Sequence, residues 1–342
     1  SDLVRELMKQ GFFKPITFGQ YKVLKTVFFN DIDKDDSNIN LEYEKSYCTQ
    51  LICPITVKQS EKIKNDPTYW YCDFEADTSG KIHVPYYCVL QSQNGSICKE
   101  FKGEKCNIDL LKYLPDNSII YFHNLAYDIR MLASFGINKS IIKGSKTMKA
   151  NIKYEGKTLK FKDSLPILSC KLSEFPKMFN IPNVQKEIFP YKYYTLKRLN
   201  NKGIGVINDA GKYEDKQWKN DDYELFKSNI DKIDGCRIDE NHFDMWKYCS
   251  FYCKQDVTIL RLGFNEFRKG FINDFNIDPF KFISISSLAN EVFNQKVYYP
   301  NGNLYKLGGH VRKFCSKAIY GGRCMTAYNK KWHINVPLCD FD

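Results

Sequence analysis

No secretory signal is found in the sequence, and no apolar run of ~18 residues that could cross a bilayer. Its 13 Cys are odd in number and irregularly spaced, which leaves no legible disulfide framework and makes reduced, intracellular thiols the simplest reading. Histidine is scarce, with 5 in the whole chain, and no His or second Cys pair completes a zinc set beside Cys249 and Cys253. Those two, four residues apart, read as small buried side chains of a helix. What is abundant is aromatic and basic: 15% aromatic residues in a chain of 43% hydrophobic content describe a folded protein, and a net charge of +11 favours polyanionic partners, nucleic acid being the commonest.

The stretch that organises the rest is Tyr69–Asp77. Trp70, Cys72 and Phe74 alternate with Tyr71, Asp73 and Glu75, the period of a half-buried strand, so two carboxylates emerge side by side on one face while the other face is apolar. Adjacent negative charges are unfavourable unless a cation lies between them, and a divalent metal is the usual occupant; a solvated acidic edge is the alternative.

Residues 1–66 read as a small β-containing entry domain, with strands at Tyr21–Phe29 and Tyr47–Val57 and no visible chemistry. After Asp77 a Thr-Ser-Gly turn leads to a partner strand over 83–90, predicting an antiparallel hairpin. A short helix is predicted over 107–114, then a buried strand from Ser118 whose continuation has helical spacing through Leu125, Ile129, Leu132 and Phe135. Asn124 and Asp128 fall at this strand-to-helix corner, where an Asp is either a helix cap or a ligand. Residues 139–162 alternate Lys with apolar residues, the pattern of an exposed basic β-ribbon. A helical stretch is expected from Asp163 to Phe179, followed by a Lys- and Tyr-rich segment over 183–199 that contains Lys186. Such a segment suits single-stranded nucleic acid, with aromatics stacking on bases and Lys meeting phosphate, or is an ordinary basic loop. Residues 200–240 read as a polar surface insertion. The clearest helix spans 243–262, with Trp246, Cys249, Cys253, Val257 and Leu260 as its core stripe and Tyr252 and Asp256 one turn apart on another face.

Asp73, Glu75, Asp128 and Asp256 together suit phosphodiester hydrolysis by two hard cations, Mg²⁺ or Mn²⁺, with Tyr252 orienting the attacking water and Lys186 offsetting phosphate charge. In order along the chain, Asp-x-Glu (Asp73, Glu75), Asn-x-x-Tyr-Asp (Asn124 to Asp128) and Tyr-x-x-x-Asp (Tyr252 to Asp256) resemble the three exonuclease motifs of family B DNA polymerases. Phe-His-Asn-Leu with its following Tyr-Asp, Lys186-Glu-Ile-Phe189 and Ser164-Leu165-Pro-Ile-Leu168 are similar to the protein-primed subgroup of phages, adenovirus-like viruses, linear plasmids and Polinton-type elements. By that resemblance Asn124, Tyr127, Ser164 and Leu165 hold the 3′ single strand. Tyr320, Gly321, Gly322 and Arg323 resemble the loop that joins exonuclease to polymerase, although on the glycines Ile319 takes the Tyr position. Cys-Asp-Phe-Asp resembles the opening of the first polymerase motif, with Asp340 or Asp342 as its metal ligand.

The resemblance implies an α/β, RNase H-like (DnaQ-like) 3′→5′ exonuclease domain, a mixed sheet flanked by helices, at 67–265 behind the entry domain at 1–66. Residues 266–342 are then a linker and the start of a polymerase palm, cut short before the later motifs. Implied with it are proofreading during DNA replication and two Mg²⁺ or Mn²⁺. The partners would be single-stranded and primer–template DNA, the rest of the polymerase and a terminal priming protein, in the cytoplasm or nucleus of a host and with no membrane. The alternative from another class is an exonuclease-like fold that grips single-stranded DNA or a protein without cutting; a second enzymatic reading is a free-standing exonuclease.

Overall fold

A computed structural model describes residues 67–182, 184, 187–212, 220–298 and 300, with short pieces at 52–54, 305–307, 313–314 and 316–317. The chain divides into two compact units, Ser60–Phe293 and a second made of Ser1–Gln59 with Asn294–Asp342. Within the second, Ile52–Pro54, inside the strand predicted over 47–57, pairs antiparallel with Tyr305–Leu307. The predicted strand over 21–29 lies outside the described residues.

The larger unit is built on a seven-stranded sheet. Its strands are β1 (Tyr69–Asp77), β2 (Val84–Ser92), β3 (Cys98–Lys102), β4 (Ile119–Phe122), β5 (Ile137–Lys143), β6 (Lys146–Tyr154) and β7 (Lys157–Asp163), in the spatial order β3-β2-β1-β4-β7-β6-β5. β1, β2 and β3 form an antiparallel meander, β4 and β7 lie parallel to β1 on its other side, and the antiparallel β5–β6 ribbon extends that edge. A central first strand with an antiparallel meander on one flank and parallel strands on the other is the RNase H-like arrangement. The main helices are α1 (Cys106–Tyr113), α2 (Leu125–Asp128, continued as a 3₁₀ helix to Phe135), α3 (Asn220–Lys232), α4 (Met245–Phe275) and α5 (Ile285–Phe293).

Strand β1 has the alternation expected of it, and both of its faces are covered. Trp70, Cys72, Phe74 and Ala76 enter one core with Leu110, Leu111, Phe122 and Phe161, while Tyr71 enters a second with Tyr248, Cys249, Cys253 and Val257 of α4. The face that bears Asp73 and Glu75 is therefore roofed by α4. Each large apolar side chain buried in this way contributes about 1.5–3 kcal/mol, so the two layers are what hold β1 at the centre.

Helix α4 is longer than the 243–262 span predicted for it. It begins at Met245 because Asp244 caps it, its carboxylate accepting from the amides of Trp246 at 2.8 Å and Lys247 at 3.0 Å. It ends where Asn276 turns left-handed at φ 55°, so the boundary expected at 265 falls inside the helix. Two other expectations are corrected. Residues 163–179 form turns and a short helix, Phe175–Met178, since Pro166 and Pro176 interrupt a longer one. Residues 200–240 are more than a surface insertion: Phe226 and Ile230 of α3, with Ile207, Ala210 and Cys236, are buried against α4 in the second core.

Candidate active site

The four carboxylates singled out in the sequence reach one cavity of about 320 Å³, and Asn124 and Tyr127 stand beside them in its wall. Asp73 and Glu75 come from β1, two residues apart and hence on one face. Asp256 comes down from α4, and Asp128 from α2.

The corner between β4 and α2 has a local cause. Asn124 sits at φ 77°, the left-handed region that Asn tolerates better than most residues. Asp163, at the end of neighbouring β7, accepts the Asn124 amide at 2.9 Å and the Leu165 amide at 3.0 Å, clamping this corner to the next loop. Asp128 is then a residue of the helix and not its cap, with one carboxylate oxygen accepting the Phe74 amide of β1 at 3.3 Å. It is 3% exposed. Burial, and after it the charge of Asp73, push its carboxyl well above the ordinary range.

Carboxylate oxygens of Asp73 and Glu75 and the Cys253 sulfur all lie within 4.8 Å of one another. The thiol donates to the Asp73 carbonyl at 3.6 Å, and burial raises its pKa so that it stays protonated. Oxygen is thus the available donor, and a set of carboxylates fits a hard divalent cation such as Mg²⁺ or Mn²⁺ better than a thiolate-seeking one.

Tyr252 does not line the cavity. It is buried, and its hydroxyl lies 2.5 Å from that of Tyr191, which does line it. Burial and the charge of Asp256 raise the Tyr252 pKa, so the phenol remains a proton donor. The Tyr127 phenol, pushed up to about 12 by burial and by Asp128, does likewise, and it meets His83 Nδ1 at 3.2 Å.

Ser164 is not placed to touch a strand. It is fully buried, its hydroxyl 2.9 Å from both the Phe122 carbonyl and His123 Nδ1, where it braces the end of β4. Leu165 beside it is half-buried. Lys186, Tyr320, Gly321, Gly322, Arg323, Asp340 and Asp342 lie outside the described residues. Tyr191, Leu172, Leu260 and His123 also line the cavity and were not anticipated. Tyr191 belongs to the Lys- and Tyr-rich segment, but that composition alone does not say which of its tyrosines turns inward.

The fold and its site define an RNase H-like α/β unit with a carboxylate cavity on its central strand. Residues 109–342 match the family described as DNA polymerase type B, organellar and viral, and the chain belongs to that family. It is 27% identical over 236 residues to a probable DNA polymerase of Ascobolus immersus, covering 63% of this chain and 18% of that protein. Against a probable DNA polymerase of Neurospora intermedia the identity is 25% over 341 residues, covering 93% of this chain and 33% of the relative. The chain therefore spans about a fifth to a third of these relatives' length. Among solved structures it is similar to Phi29 DNA polymerase complexed with single-stranded DNA, at a TM-score of 0.43 and 16% identity over 67% of this chain and 35% of that one. Among the described residues no helix is long and apolar enough to cross a membrane.

Proposed function

We propose that the larger unit removes nucleotides from the 3′ end of single-stranded DNA by metal-dependent hydrolysis, as the proofreading part of a type B DNA polymerase. One observation carries this reading: Asp73, Glu75, Asp128 and Asp256, from three separate elements, line a single cavity. Two Mg²⁺ or Mn²⁺ held there by these four side chains would supply an activated water and a stabilised leaving oxygen.

The remaining roles belong to the chain's own groups. Tyr191, backed by the hydroxyl of Tyr252, presents a phenol to the cavity that can fix the orientation of a nucleophile. Leu172 and Leu260 give the cavity an apolar wall against which a terminal sugar or base can rest. Asn124, exposed at its left-handed corner, and Tyr127 stand where the incoming strand would be gripped. Ser164 acts at one remove, by holding the corner, and Leu165 packs beside it. Lys186 is proposed as the cation that offsets charge on the scissile phosphate.

For the whole protein we propose DNA replication on primer–template DNA with a priming protein as partner. In that reading Tyr320 to Arg323 form the junction loop, and Asp340 or Asp342 a polymerase ligand. The test of the nuclease reading is the double substitution Asp73→Ala with Glu75→Ala, assayed on a 3′-labelled single-stranded oligonucleotide. It should abolish Mg²⁺-dependent shortening while circular dichroism stays unchanged; undiminished shortening overturns the reading.

A further inference from the structure

A second charged surface lies on the same sheet, away from the cavity. On β5–β7 the residues of one face, Met148, Ala150, Ile152, Leu159 and Phe161, are buried in the core. The opposite face is rich in lysine. Strand pairing sets Lys139, Asn151 and Lys160 in one transverse row and Ile141, Lys149 and Lys162 in the next, with Lys153 beyond. Neighbouring strands are ~4.8 Å apart and alternate residues ~7 Å apart, so these amines cover a field of roughly 10 by 14 Å.

Lys139 and Lys153 are exposed and Lys149 and Lys160 half-buried, and among the described residues no ion pair joins Lys139, Lys149 or Lys153 to a carboxylate. The carboxylates that border the field are already engaged: Asp116 accepts the Thr158 amide at 2.7 Å, and Asp278 is forked by Arg268 at 2.9 and 2.7 Å. Lys162, 7% exposed, feels the result. Its amine is lowered to about 8, first by burial and then by the charge of Lys149, with Asp278 opposing the shift and Lys160 adding to it.

We propose that this lysine face is a second nucleic-acid contact, binding the phosphate backbone of duplex DNA without regard to sequence. Its centre is Lys149, Asn151 and Lys160, with no aromatic or large apolar anchor; Ile141 stands only at the rim. A protein partner would be expected to bury such an anchor at the middle of its footprint. Lysines on flexible stems act as mobile point charges and suit phosphates. The field is also on the carboxylate side of the sheet, because Tyr71 of β1, Tyr121, Lys162 and Lys149 are successive register partners. Three strand spacings separate Lys149 from β1, ~14 Å, or about four base-pair rises of duplex. DNA lying on the lysines would thus be held beside the cavity without entering it.

The experiment is fluorescence anisotropy of the full chain with a labelled duplex in EDTA, over a series of salt concentrations. The comparison is between wild type, the triple variant Lys139→Gln, Lys149→Gln, Lys153→Gln, and its Arg counterpart. Losing three phosphate contacts should flatten the slope of log K against log salt by about 2–3 and weaken binding at least about tenfold near 0.1 M salt. The Arg variant should bind as wild type does, and because the measurement is made in EDTA it reads this contact whatever the fate of the cavity. An unchanged slope in the Gln variant overturns the proposal. So does equal loss in the Arg variant, or an acidic polypeptide that occupies the face in preference to duplex.

Discussion

Adding a divalent cation should invert the order of stability of the wild type and an Asp128→Asn variant. Asp128 is 3% exposed and lies beside the charge of Asp73, and these two causes raise its carboxyl well above 3.8 in the folded chain. Above that ordinary value the folded state therefore holds a proton that the unfolded state has released, and stability of the ion-free protein falls as pH rises through this window. Asn keeps the shape and drops the charge, so without divalent ions at neutral pH the variant should melt higher than wild type. Adding Mn²⁺ at a hundred times its dissociation constant should stabilise the wild type by about 2.7 kcal/mol. At ~2–4 °C per kcal/mol for a unit of 150–250 residues, the midpoint should rise by roughly 5–10 °C. The variant lacks one ligand and gains less at the same concentration, so the order of the two melting temperatures should invert. Thermal melts by circular dichroism, in EDTA and in MnCl₂ at neutral and mildly acidic pH, read this directly. A wild type that melts higher than the Asn variant in EDTA, or gains nothing from Mn²⁺, refutes the reasoning.

Three other perturbations test different levels of the structure. In Gly263→Ala a new Cβ would meet Phe175 Cδ2 at 2.5 Å and Phe179 Cδ2 at 3.0 Å, and Phe175 is fully buried. Ala is worth ~1 kcal/mol more than Gly in a helix, but overpacking of this kind costs about 1–3 kcal/mol, so urea denaturation should show a net loss of stability. Lys162→Met should remove a pH dependence: burial lowers the folded amine from 10.5 to about 8, so wild-type stability should rise between those pH values by about 3 kcal/mol. The Met variant should lack that rise, and parallel profiles for the two proteins would contradict the burial argument. Tyr191→Phe and Tyr252→Phe each break the same hydroxyl pair, so the double variant should slow 3′ trimming no more than the worse single one; additive losses would mean the two phenols act separately.

The local pattern of β1 was legible because alternation of six residues leaves little freedom, and the corner at Asn124 because strand and helix periods change there. The acidic constellation was legible because its motifs are short and ordered. What could not be read was which side of β1 would be covered, since Tyr71 serves equally well on an open face and under a helix; only the packing of α4 decides it. Two prolines made the difference at 163–179, where apolar spacing alone suggested one continuous helix. The polar composition of 200–240 concealed Phe226 and Ile230, two apolar side chains among many charged ones that bind α3 to the core. Tyr191 was hidden for another reason, because its partnership with Tyr252 spans 61 residues and leaves no local trace.

The distance between the acids on β1 and Asp256 depends on where α4 stops along the sheet, and apolar burial, being non-directional, does not set that. Polar pins do. Gln91 of β2 donates to Thr258 at 2.9 Å and accepts from Arg261 at 2.8 Å, using both ends of its buried amide. Asn265 accepts from the Tyr71 hydroxyl at 2.7 Å and donates to the Gln93 carbonyl at 2.8 Å. All three helix residues lie within three turns of Asp256, and a slip by one turn, ~5.4 Å, would break every one of these bonds while leaving much of the apolar contact in place. Directional bonds between β1, β2 and α4 therefore fix the register of the roof over the sheet. The spacing of the carboxylates follows from that register, and so the residues that set the geometry of the cavity include Gln91 and Asn265, which do not line it.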